Sequence, residues 1–192
     1  MLRINYPKQA LETLTDQELI RLAAQEQAAF THLYRRYVKR VYGYLYSRVG
    51  NVEDAQDLTA QTFLGALGQL AGYRGTGSVA AWLVGIAHHK WVDWQRQRRP
   101  SISLSAVENL ADPAALPDEV FLQQLQRETL EQALHGLTPE RAEAIALRFF
   151  GELSNREVAV IMQKPESAVK MLVHRGLQDL RVRLTPIKER IV

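Results

Sequence analysis

The sequence, 192 residues long, contains no cysteine. Disulfides and thiolate metal sites are therefore excluded, and the composition suits a reducing compartment, which points to the cytoplasm. Long apolar runs are missing as well. Nothing approaches the length of a membrane span and the N-terminus lacks the apolar core of a signal peptide, so direct membrane insertion is not expected. No segment alternates apolar and polar residues with period two, and the fold class reads as all-α. The histidines His32, His88, His89, His135 and His174 are scattered, without a nucleophile elbow or a carboxylate pair. That argues against an enzyme and against a small-molecule substrate. His88 and His89 adjoin, but neighbours point to different faces of a helix and no third ligand stands near, so no metal or other cofactor is expected. The glycine-rich stretch 71–78 lacks the G-x-x-x-x-G-K-[ST] order and follows a helix rather than a strand, which excludes a phosphate-binding loop.

What the chain has is unevenly distributed charge on a modest net value of +3. From Pro100 to Glu131 the acids Glu108, Asp112, Asp118, Glu119, Glu128 and Glu131 face Arg127 alone. From Lys164 to Arg190 the bases Lys164, Lys170, Arg175, Arg181, Arg183, Lys188 and Arg190 outnumber Glu166, Asp179 and Glu189. One end suits phosphates, and the middle avoids or imitates them.

The basic end carries the most informative stretch, residues 153–184. Ser154 and Glu157 form a capping box that opens a short helix with Val158, Ala159, Ile161 and Met162 on its apolar side. Gln163 and Lys164 fill a turn, and Pro165 suits the start of a second helix. Val169, Leu172, Val173, Leu177 and Leu180 recur at helical spacing and are expected inward. Ser167, Lys170, Met171, His174, Arg175, Gln178 and Arg181 then make an outer basic face. This is the pattern of a helix-turn-helix, whose second helix enters the major groove. A helical hairpin with a solvated charged face would share the spacing.

Upstream, Thr15 and Glu18 form another capping box for a helix over 16–29. A second helix carries Phe30, Leu33, Tyr34, Tyr37, Val38, Val41, Tyr42, Leu45 and Val49 on one stripe, read as core, and ends at Gly50-Asn51. A third, over 52–70, turns Ala55, Leu58, Thr62, Phe63, Ala66, Leu67 and Leu70 inward. Its outer side shows Glu53, Asp54, Gln56, Asp57 and Gln61, of which Asp57 and Gln61 lie beyond the dipole-favoured first turn and suit docking. A fourth, over 79–99, interleaves Trp82, Trp91 and Trp94 with His88, His89, Lys90, Arg96, Arg98 and Arg99, a mixture suited to nucleic acid, although Trp82 reads as core. Residues 1–14 form a tail and 15–99 a first domain. Residues 100–117 form a flexible Pro/Ser-rich linker, acidic onward to about 131. A second small helical domain covers 118–185, with helices expected over 118–135 and from Pro139, the latter turning Ala142, Ile145, Ala146, Phe149 and Phe150 inward. Residues 186–192 form a C-terminal tail, too short to suggest built-in regulation.

In the first half, AFTHLYRRYVKRVYGYLY, VEDAQDLTAQTFLGAL and AAWLVGIAHHKWVDWQRQRR resemble one conserved domain of the extracytoplasmic-function (ECF) group of bacterial RNA polymerase sigma factors. In the second, LTPERAEAIALRFFGELSNREVAVIMQKPESAVKMLVHRGLQDLR resembles that family's last domain. The match covers most of residues 15–184 in the right order. It implies a protein without catalysis of its own that binds core RNA polymerase, brings it to a promoter and helps open the strands. In the family, a DAEDLTQETF-like helix docks on a coiled coil of the largest subunit, and here Asp54, Asp57, Leu58, Thr59 and Gln61 match it. The flap region of the polymerase is a further contact that the resemblance implies.

The resemblance also implies sites for both strands of a promoter. Tyr73, Arg74, Thr76 and Ser78 match the loop that holds the single-stranded −10 element. His88, His89, Lys90, Asp93, Trp94 and Arg96 match the helix beside it, with His88-His89 where Arg-Asn is common. For the duplex −35 element, Lys170, Met171, His174 and Arg175 take the reading positions, and Ser167 and Arg181 those of phosphate contacts. Met171-Leu172 replaces the usual Ser-Arg, so apolar contact takes the place of a hydrogen bond there. The acidic linker would lie along the RNA path, and an anti-sigma factor is a possible further partner. The competing reading is a stand-alone helix-turn-helix regulator that binds an operator as a dimer. It calls for an N-terminal ligand or dimerisation domain, where this chain has an acidic docking helix beside a basic, Trp-bearing one.

Overall fold

The computed structural model describes residues 11–73, 75, 77–98, 130 and 132–188, and all regular structure among them is helical. Helix α1 (Asp16–Ala23) starts at the expected capping box: Glu18 N–H donates to Thr15 Oγ1 at 3.4 Å, and Thr15 N–H to Glu18 Oε2 at 2.8 Å. The sequence reading carried this helix to residue 29. The chain instead breaks after Ala23 and restarts as α2 (Gln27–Val49). Leu11, placed in a tail by its weak pattern, is 1% exposed, and Arg36 donates to the Leu14 carbonyl at 3.3 Å. The fold thus already includes the described end of that segment.

The buried stripe of α2 is Ala29, Leu33, Tyr37, Val41, Tyr44 and Leu45. The expected stripe was rotated slightly from this one: Tyr34 lies outward and Tyr44, left out of it, is fully buried. Gly50 closes α2 in the left-handed conformation (φ 75°), its N–H reaching Tyr46 O at 2.9 Å, a geometry that a Cβ would disfavour. Asn51 then caps α3 (Val52–Gln69), and a 3₁₀ turn over Leu70–Gly72 leads towards α4 (Val79–Arg98). Thr59 and Thr62 enter the core of α3 because their hydroxyls donate to Ala55 O and Leu58 O, both at 2.7 Å. A buried hydroxyl so satisfied avoids the penalty of an unpaired polar group.

In the second half, residues 132–135 are helical and Gly136 follows. Pro139 opens α5 (Pro139–Ile145), which passes into a π turn over Ala146–Phe150. Its closing bond runs from Gly151 N–H to Ala146 O at 2.9 Å. The wider turn shifts the helical register. Leu147 is fully buried while Phe149, expected inward, is 48% exposed. Helices α6 (Asn155–Met162) and α7 (Glu166–Lys188) complete the order.

The main core does not stop at the boundary between the halves. It joins Leu19, Leu33, Val41, Leu45, Phe63 and Val84 to Ala146, Leu147, Leu153, Val158 and Val169. A smaller cluster of Ala133, Leu134, Leu137, Ala142, Ile145 and Leu180 belongs to the second half alone. The two helical modules are therefore closed on each other, with α6 packed on α4. The proposed linker, 100–117, and most of the 118–135 helix lie outside the described residues.

Candidate nucleic-acid interface

The helix-turn-helix forms as its residues direct. Ser154 accepts from Glu157 N–H at 3.3 Å, and Glu157 Oε2 accepts from Ser154 N–H at 2.8 Å. Gln163 takes the left-handed conformation (φ 52°) in the turn, and Val158 and Val169 hold the two helices with no exposed surface. Gly176 permits close passage of α7 over α5, since a Cβ there would lie 2.9 Å from Ile145 Cγ1. An ion pair of 2.5 Å between Arg141 and Asp179 fixes the same crossing. On the outer side Ser167, Lys170, Met171, His174, Arg175 and Arg181 are all exposed. Leu177 joins them at 44% exposure, although its spacing placed it inward. Lys170 is paired with Glu166 at 2.9 Å, a surface i,i+4 contact that a phosphate or base can displace at little cost.

The face expected to meet single strands is different. Tyr73 lies against Trp82 with ring centroids 4.9 Å apart, so both aromatics are partly committed to packing. Ser78 caps α4 by accepting from Ala81 N–H at 3.1 Å and donates to Glu157 of α6. His89, Asp93 and Arg96 are exposed, Lys90 and Trp94 half-buried, and Asp93 and Arg96 pair loosely at 3.7 Å. His88 turns inward to Glu143. Arg74 and Thr76 lie outside the described residues.

The docking set splits by burial. Asp57 and Gln61 are exposed on α3. Leu58 and Thr59 are 2% and 5% exposed, so helical geometry makes them supports of that surface and not contacts on it. Asp54 accepts from Asn51 Nδ2 at 2.6 Å and from Trp94 Nε1 at 3.2 Å, which ties the docking helix to α4. Sequence reasoning missed the apolar groove beside them, lined by Phe30, Tyr34, Val38, Phe63, Leu64 and Leu67. Leu64, 69% exposed, carried the signal as a large apolar residue outside the inward stripe, while Leu67, expected inward, is 48% exposed and lines the same groove.

Family models describe both halves: Sigma-70 region 2 matches residues 33–100 and Sigma-70, region 4 matches residues 127–180. The RNA polymerase sigma factor YlaC of Bacillus subtilis is 34% identical over 160 residues, covering 82% of this chain and 92% of YlaC. The ECF RNA polymerase sigma-E factor of Salmonella typhimurium is 30% identical over 190 residues, covering 93% and 99%. The chain belongs to the ECF sigma factors. The ECF RNA polymerase sigma factor BldN of Streptomyces coelicolor is 36% identical over 169 residues, but this sigma factor spans only 64% of its length. Two solved structures share the fold at low identity. They are CnrH with the cytosolic domain of CnrY (TM-score 0.69, 22% identity, 89% of this chain and 97% of that one) and RpoE with the anti-sigma factor NepR from Bartonella quintana (0.65, 19%, 81% and 96%).

What holds the sigma factor's two modules together polarly is centred on Glu143 of α5, 6% exposed. Its Oε1 accepts from Tyr44 Oη at 2.8 Å and lies 3.0 Å from His88 Nδ1, while Arg48 Nε stands 3.1 Å from Oε2. A proton on Nδ1 lets His88 donate to the carboxylate. Burial pushes the Glu143 carboxyl up, but the His88 hydrogen bond, the charges of Arg48 and His88 and the Tyr44 hydroxyl outweigh it, and its pKa ends below the ordinary carboxylate value. Burial and the Glu143 charge push Tyr44 well up, so it stays a donor. Arg40 pairs with Glu152 at the same junction. Neither Arg48 nor Glu143 had a sequence signal, because their partners lie between 55 and 99 residues away.

Proposed function

We propose that this sigma factor binds core RNA polymerase and directs initiation at promoters with −10 and −35 elements, working where the polymerase works, in the cytoplasm. The observation that carries this reading is the exposed row Lys170, Met171, His174 and Arg175 on the second helix of a helix-turn-helix, in one chain with a Trp-bearing basic helix. Arg175 and Lys170 are suited to guanine edges, and Met171 to a thymine methyl. Ser167 and Arg181 flank them as phosphate contacts, which set register rather than sequence. In the first module Tyr73, Arg74, Thr76, Ser78, His88, His89, Lys90, Asp93, Trp94 and Arg96 serve the single-stranded −10 element, where rings stack bases and cations hold the backbone. Extruding a base costs a few kcal/mol, which this binding offsets.

Asp57 and Gln61 meet the polymerase, with the groove of Phe30, Tyr34, Leu64 and Leu67 as the apolar centre of the contact. Charged rims around an apolar centre are the usual build of such interfaces. Leu58 and Thr59 seat the helix, and Asp54 braces it against Trp94. An anti-sigma factor is a further partner of this class of protein. No steps of catalysis belong to the chain. The test is run-off transcription with purified protein, sigma-free core polymerase and genomic fragments. Discrete starts that need the protein and share two upstream elements are expected, while tight duplex binding by a dimer without any transcripts would overturn the reading.

A further inference from the structure

We infer that the pit formed by Arg48, His88 and Tyr44 is a phosphate site for the non-template promoter strand, and that Glu143 fills it while the two modules are closed. The inference rests on the sigma-factor reading. Every donor of the pit comes from the first module: Tyr44 and Arg48 from α2, His88 from α4. Arg48 is held in place by Trp91, its guanidinium 4.2 Å from the ring centroid, and Trp91 itself is 7% exposed. The acceptor alone comes from the second module. The side chains of Arg48, His88 and Glu143 are 11%, 16% and 8% exposed, so the pit is a built, desolvated site rather than a surface ion pair.

Promoter geometry requires the modules to part. Elements centred near −10 and −35 stand about 25 base pairs apart, or about 85 Å at 3.4 Å per pair. In the closed chain α6 lies on α4, and Ser154, Glu157 and Ile161 share one cleft with Trp82, Ile86 and His89. One molecule cannot read both elements in that state. When α5 leaves, three converging donors lose their anion, and a guanidinium fork fits phosphate as it fits carboxylate. The replacement is at hand, because His88 of the pit and His89 of that cleft are neighbours on α4 and stay together when the modules part. Trp82 and His89 offer ring faces for bases, and the pit takes the phosphate between them. Closure and strand binding then compete for the same three side chains.

Two measurements test this. The first is the affinity of the holoenzyme for a labelled single-stranded oligonucleotide carrying the non-template −10 strand of a run-off-mapped promoter, across a salt series. Arg48→Gln is expected to weaken binding and flatten the plot of log K against log salt by about 0.7, the value of one single-strand phosphate contact. Arg48→Lys keeps the charge and most of the slope, which separates this effect from misfolding. The second uses the cysteine-free chain with dyes at Gln69→Cys and Val160→Cys on opposite sides of the cleft. Glu143→Gln is expected to lower energy transfer in the free protein, and saturating oligonucleotide to lower it in the parent. An unaltered slope in Arg48→Gln, or unaltered transfer in Glu143→Gln, overturns the inference. A parent chain that forms no initiating holoenzyme defeats the sigma-factor reading instead.

Discussion

The two helices proposed to face DNA are presented in opposite ways. On α7 the side chains Ser167, Lys170, Met171, His174, Arg175 and Arg181 all stand in solvent. On α4 the corresponding face is covered only in part: His88 is bonded to Glu143, Ser78 to Glu157, and the cleft beside Trp82 is bounded by α6, while His89, Asp93 and Arg96 stay exposed. Two basic helices of similar composition thus differ in availability, and the difference comes from the other module. On the proposed reading, duplex contact by α7 needs no rearrangement of the chain, whereas the pit of Arg48, His88 and Tyr44 becomes available only on opening.

The largest expected effect removes the cover. Glu143→Ala leaves Arg48 buried without its counter-charge, and breaking one partner of a buried pair costs about 3–5 kcal/mol. Here the loss falls on the closed arrangement, because opening returns Arg48 to water. Small-angle scattering should show a larger radius of gyration for the variant, and an unchanged radius would break the contrast between covered and open faces. Acid should act in the same direction. The Glu143 pKa is depressed in the closed state, so its contribution is complete at neutral pH and is lost as pH falls through that depressed value, below the usual carboxylate range. Expansion near neutral pH would contradict the sign.

Arg175→Ala addresses the open face. Losing one bidentate base contact costs about 1–3 kcal/mol, or about fivefold to somewhat over a hundredfold in affinity, and relaxes preference at one base pair. Run-off yields on promoters with mutated −35 elements should converge in the variant, while its binding to the −10 strand stays near that of the parent. A loss of strand binding as well would mean that the two faces are not independent.

How much of this contrast was legible in the sequence depends on the range of the interactions. Both capping boxes, Thr15–Glu18 and Ser154–Glu157, were legible because a cap is made by residues three apart. The exposed side of α7 was legible because helical period alone sorts it from Val169 and Leu180, although Leu177 escaped that rule. Phe149 was misplaced because the π turn at Ala146–Phe150 leaves no clear trace in side-chain type. The clasp of Glu143 with Tyr44, Arg48 and His88 was invisible, since each residue looks ordinary in its own helix and only tertiary packing joins them. The docking motif was read correctly as a helix, but family spacing included Leu58 and Thr59, which burial assigns to its underside.

Ser154 sits where the covered face meets the helix that covers it. It caps α6, and its partner Glu157 also receives the Ser78 hydroxyl from the start of α4. Ser154→Ala should cost about 1 kcal/mol, the usual loss at an N-cap. Part of that loss should appear as a lower Tm and part as faster amide exchange in the first turn of α6. If closure depends on α6 being well formed, dye-pair transfer across the cleft should fall slightly as well. Helix α7 begins at its own turn and should keep its exchange rates, so slowed or quickened exchange along α7 would show that α6 and α7 share one cooperative unit.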